Sequence, residues 1–93
     1  MIETYYIVEC LNKEVKAYDG SVLTKENSVT YLGTDSGYYS HTRESKYAEK
    51  FKTPPTREVV ARYDGMPWYN RIKSHRVIKV TEEKIFNQTM EYV

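Results

Sequence analysis

Cysteine occurs once among the 93 residues, at Cys10, so neither an intrachain disulfide nor a cysteine-based zinc site can be built within one chain. Long apolar runs are missing as well. The best of them, Tyr5-Tyr6-Ile7-Val8, is far short of the roughly 20 residues needed to cross a bilayer. Met1-Ile2-Glu3-Thr4 shows no basic stretch leading into an apolar one, so a secretory signal is not expected and the chain reads as cytoplasmic, with no membrane contact. On that reading Asn87-Gln88-Thr89 is a chance match to a glycosylation acceptor. The four glycines stand apart at 20, 33, 37 and 65, each with a turn to explain it, which excludes a glycine-rich phosphate loop.

What is present is a balanced globular composition, 40% hydrophobic and 29% charged. A chain of this length supports one core, so a single domain over residues 1–93 is expected, with its core at about 4–83 and a tail at 84–93. Such a domain has little room for deep cavities, and any site should be a surface patch or shallow groove. Net charge is +1, unevenly spread. Residues 1–40 hold three lysines against six acids, residues 41–80 ten cations against four acids, and residues 81–93 one lysine against three acids. A basic middle section can face an acidic partner, although mixed-sign helical surfaces produce similar asymmetry.

The pattern of β-branched and aromatic residues predicts a strand over residues 4–11, with Tyr5, Ile7 and Glu9 on one side and Tyr6, Val8 and Cys10 on the other. Residues 14–18 alternate more weakly, as a second strand or an extended loop, and end at the turn pair Asp19-Gly20. Residues 28–32 read as a strand closed by a Gly/Asp turn over 33–37, before Tyr38-Tyr39. Tyr47, Ala48 and Phe51 share one face of a short helix expected over 43–51. Pro54-Pro55 stops it, and a second helix capped by Thr53 should run over 54–63 with Val59, Val60 and Tyr63 inward. Residues 66–71 read as a loop carrying the lone Trp68, and residues 75–81 as a final strand. Ile85, Phe86 and Met90 give the tail enough apolar surface to dock on the domain or on a second copy. The expected fold is therefore α+β, a small antiparallel sheet with two short helices on one face and exposed tyrosines on the other.

Tyr5-Tyr6-Ile7-Val8, Tyr31-Leu32 with its turn, Ala48-Glu49-Lys50-Phe51, a following helix and Val77-Ile78-Lys79-Val80-Thr81 together resemble a group of small bacteriophage and prophage accessory proteins. The likeness covers about residues 4–83 and rests on core positions, so it speaks mainly to fold. Pro54-Pro55 and the stretch 65–73 depart from the pattern. The resemblance implies a protein made in the cytoplasm of an infected bacterium. Some such proteins act stoichiometrically, binding and blocking a host enzyme or a defence nuclease.

Catalytic constellations are weak. Cys10 with His41 or His75 is arithmetically possible, but a lone cysteine in a strand reads as a small apolar filler. His41 and His75 lack any metal-ligand spacing, so no metal, cofactor or enzymatic role is expected. Trp68, Tyr69, Arg71, Lys73 and Arg76 interleave rings with cations, the residue types that dominate protein interfaces. This segment is the expected partner-binding site, for a host or defence protein that the chain inhibits or modulates. Nucleic acid is the alternative, since rings stack on bases and cations neutralise phosphates, but a nearly neutral chain offers few phosphate contacts. A homodimer is the remaining association the sequence allows.

Overall fold

The computed structural model describes residues 2–35, 38–63, 71–83 and 88–93. Seven strands organise the described residues: β1 (Ile2–Asn12), β2 (Val15–Lys16), β3 (Val22–Thr24), β4 (Val29–Asp35), β5 (Tyr38–Thr42), β6 (Ile72–Glu83) and β7 (Gln88–Tyr92). Five form an antiparallel sheet in the order β5-β4-β1-β6-β7, and β2 and β3 form a separate two-stranded arm. The sheet is built around β1 and β6, which pair from Ile2↔Glu83 to Asn12↔Ile72 with one register shift at Leu11/Asn12. The extents, 50 × 26 × 23 Å, are elongated, and the radius of gyration of 14.3 Å exceeds the roughly 12 Å of a compact domain of this length.

Alternation along β1 supplies apolar side chains to both faces, because successive residues of a strand point to opposite sides. On one face Tyr5 and Ile7 pack with Ile78, Val80 and Ala48, and Tyr31 borders them. On the other, Val8 and Cys10 pack with Leu32, Val60 and Tyr63. Here Asn12 Nδ2 donates to Thr30 Oγ1 at 2.9 Å, and Thr30 Oγ1 lies 2.7 Å from His41 Nδ1. His41 Nε2 is 2.7 Å from the Tyr63 carbonyl, which ties the sheet to the turn at residues 62–63. A carbonyl can only accept, so Nε2 carries a proton, and in the neutral ring Nδ1 accepts from the Thr30 hydroxyl.

The two-helix α+β expectation is overturned: the described residues are mostly strand, and among them are one five-residue helix, α1 (Arg57–Ala61), and a single 3-10 turn at Ser45–Tyr47. Residues 43–51 lose the competition between local helix and sheet. Glu44 gives the turn no side-chain cap, and Ala48 is extended at ψ 147°. The Glu49 amide donates to the Leu32 carbonyl, while Phe51 and Tyr6 exchange two backbone hydrogen bonds at 2.8 Å each. A helix of that length is marginal alone, so pairing beside β1 wins. Extended backbone also separates Ala48 from Phe51, which lie in the clusters of opposite faces, and leaves Tyr47 exposed. The turn and α1 thus cover different faces rather than one. The helix starts late because Thr56, beyond the prolines, is the N-cap, its Oγ1 accepting from the Val59 amide at 3.3 Å.

Gly33, read as part of a turn, sits inside β4 opposite Ser40, where a Cβ would lie 3.5 Å from the Tyr47 carbonyl oxygen. The 14–18 segment keeps only a two-residue strand. Its turn forms as expected: Gly20 takes φ +87°, and Asp19 Oδ1 accepts from the Ser21 amide and hydroxyl at 2.8 and 2.6 Å. The tail residues 88–92 become an outer strand. No described helix is long and apolar enough to cross a membrane.

Candidate functional site

Directly paired residues of neighbouring strands share a face, so the register assembles one group of side chains from four separate stretches of sequence. Glu9 lies opposite both Tyr31 on β4 and Arg76 on β6, and Ile78 on β6 lies opposite Tyr92 on β7. The carboxylate of Glu9 is the hub. Tyr31 donates its hydroxyl to Glu9 Oε2 at 3.3 Å, and the Tyr92 hydroxyl reaches Oε1 and Oε2 at 3.2 and 3.3 Å. Burial first, then the charge of Glu9, pushes the Tyr31 phenol above its ordinary value, so it stays a donor across the working pH range. The Arg76 guanidinium stacks over the Tyr92 ring at 5.2 Å, a cation–π contact that holds the ring in place.

Two open depressions flank Glu9. One, of about 190 Å³, is lined by Tyr31, Ser45, Ile78, Met90, Glu91 and Tyr92; the other, of about 160 Å³, by Leu11, Val29, Ser74, His75 and Arg76. The result is an amphipathic trough with aromatic and aliphatic walls and a carboxylate in its floor. Nearby, the Tyr5 hydroxyl donates to Glu82 at 3.0 Å and accepts from Gln88 Nε2 at 3.2 Å, while the Lys50 ammonium sits over its ring at 4.7 Å. Tyrosines thus line this face, but not as an open face of exposed rings: Ala48 packs on it, and Tyr5 is buried while Tyr92 is exposed.

The predicted site is divided. Trp68 and Tyr69 lie outside the described residues, as do Ile85 and Phe86. Arg71 contributes its carbonyl, which accepts from the Lys13 amide at 2.9 Å where the arm begins. Lys73 bonds Glu26 Oε1 at 3.0 Å and Asn27 Oδ1 at 3.2 Å, fastening the base of the arm to β6. Of the three described members of the predicted site, Arg76 alone lines the trough. Among the candidates for chemistry, Cys10 is fully enclosed and lies opposite His75 in the register, while His41 is held by Thr30 and the Tyr63 carbonyl.

Glu9, Tyr31 and Tyr92 were not singled out as site residues from sequence, and Met90 was read only as apolar docking surface of the tail. Glu9 was correctly placed on the side of Tyr5 and Ile7. The remaining signal was the alternation of Gln88, Met90 and Tyr92 against Thr89 and Glu91, which reads as a strand once the tail is not treated as a mere docking segment. Comparison with protein-family models, with curated proteins and with solved structures finds no match.

Proposed function

We propose that this chain is a stoichiometric protein-binding domain that recognises its partner through the Glu9 trough. The observation that carries the reading is the convergence of Tyr31, Tyr92, Met90 and Arg76 on an open sheet face, residue types enriched at interface cores and energetic hot spots. Tyr31 and Tyr92 are already oriented by hydrogen bonds to Glu9, so docking costs little side-chain entropy. An apolar side chain of the partner would fill the depression beside Ile78 and Met90, and a donor beside it would meet the carboxylate of Glu9. In the setting implied by the resemblance to phage accessory proteins, that partner is a host or defence protein in the bacterial cytoplasm, inhibited by occupancy rather than by chemistry.

Nucleic acid is the weaker reading, because Lys73 is engaged by Glu26 and Arg76 by Tyr92, and the trough has a carboxylate in its floor. The test uses immobilised full-length protein beside the Glu9→Gln/Tyr92→Ala variant. A host protein retained by the first, lost by the second and then bound one-to-one when purified supports the reading. Equal retention by both, with circular dichroism unchanged, overturns it. Binding to DNA that drops by orders of magnitude between about 50 and 200 mM salt would favour the alternative.

A further inference from the structure

β7 lends Met90 and Tyr92 to the wall of the trough, and its outer backbone edge is a separate feature. Val93 donates to the Val77 carbonyl at 2.9 Å, and the register continues through Lys79↔Glu91 and Thr81↔Thr89. In an antiparallel ladder every second pair is hydrogen-bonded, so residues 89, 91 and 93 spend their backbone groups on β6. The amides and carbonyls of Gln88, Met90 and Tyr92 therefore point away from the sheet, and among the described residues nothing pairs with them. Two of the three side chains turn away from this edge. Gln88 leans inward to Tyr5 and Tyr92 inward to Glu9. All five residues of the strand are exposed.

We infer that β7 pairs with β7 of a second copy of this chain, antiparallel and centred on Met90, joining two sheets into one continuous sheet. The sequence is self-complementary in this register. Gln88 faces Tyr92 of the partner, Met90 faces Met90, and each facing pair exchanges two backbone hydrogen bonds, about six in all. On the opposite face Glu91 meets Thr89, and each Glu91 already has the ammonium of its own Lys79 at 3.8 Å. Charge thereby selects the register. A shift that centres the pair on Glu91 sets like charges directly opposite. Gln88–Tyr92 holds no lysine, proline or bulge, and its one charge, Glu91, is matched by Lys79. Met90, Tyr92 and Val93, all exposed in a single chain, gain cover on pairing.

Light scattering on the full chain at about 100 µM should give twice the 11.0 kDa monomer mass, since association follows mass action. Met90→Pro removes an amide that makes no bond within the sheet, so it should return the mass to that of one chain with circular dichroism unchanged. Met90→Lys should do the same by facing two ammonium groups across the axis. Under oxidation, Met90→Cys should crosslink pairs of chains, its Cα atoms facing at about 5.5 Å, and Gln88→Cys should not, because its copy lies several residues away. A monomeric wild-type chain overturns the inference, as does a dimer that survives both Met90→Lys and Met90→Pro or crosslinks equally at 88 and 90.

Discussion

Individual polar residues decide how the faces of this sheet hold together. Thr30 is the middle link between Asn12, which is fully buried, and His41, and its hydroxyl both accepts from one and binds the other. Thr30→Val keeps the shape and removes both bonds, leaving polar groups of Asn12 and His41 short of a partner in a covered site. The expected loss is about 1–3 kcal/mol of unfolding free energy, measured by urea denaturation, and a loss below the error of that measurement would show that the network is not sealed from water. Glu49 makes the opposite case. Its carboxylate accepts from the Tyr63 hydroxyl, and burial raises its pKa above the ordinary 4.5. A raised acid pKa means that the folded chain holds this proton more tightly than the unfolded one, so the stability it contributes is complete below the unfolded value and is lost as pH rises through the folded value. Glu49→Gln keeps an acceptor for Tyr63 and removes the charge. It should therefore raise the melting temperature at pH 7, with an advantage that shrinks as pH falls through the folded value of Glu49; a variant equally less stable at pH 4 and pH 7 would contradict this.

Among the elements, the arm and the central pair should differ most in local stability. β1 and β6 are paired along nearly their whole length with apolar clusters on both faces, whereas β2 and β3 form a two-stranded ribbon with Tyr18, Val22 and Leu23 exposed. Two-stranded ribbons are marginal alone, and this one is fastened by Lys73–Glu26, an ion pair half exposed at both ends and worth at most about 1 kcal/mol. Amide hydrogen exchange should run about a hundredfold or more faster at Ala17 than at Ile7 and Val8, and comparable rates would mean that the arm docks on something. The same contrast explains what could be read in advance. The strands at 4–11 and 75–81 were legible because both are rich in β-branched residues and alternate cleanly. The helix expected at 43–51 was not, because its spacing of Tyr47, Ala48 and Phe51 fits a helix locally, and only the long-range bonds of Glu49 to Leu32 and Phe51 to Tyr6 override it. The trough could not be read for a related reason. Glu9, Tyr31, Arg76 and Tyr92 are far apart in sequence and meet only through strand register, which no local periodicity encodes.

On the scale of the whole molecule, the two apolar clusters share a wall rather than a volume. Ile7 and Ile78 pack on one face, Leu32 and Val60 on the other, and the backbone of β1 and β6 lies between them. Each cluster is small, so neither could hold the sheet without the other, and unfolding should be a single transition seen identically by tyrosine fluorescence and circular dichroism. Side chains separated by the sheet still have no direct packing to exchange. Ile78→Val should cost about 0.5–1.5 kcal/mol and Leu32→Ala about 2–5 kcal/mol, a large part of the total stability expected for a domain of this size. Because the substitutions open space on opposite faces, the double variant should lose the sum of the two within about 0.5 kcal/mol. A coupling well above that would mean that strain in one cluster passes through β1 and β6 to the other, and the sheet would then have to be treated as a single mechanical core rather than as two layers sharing a backbone.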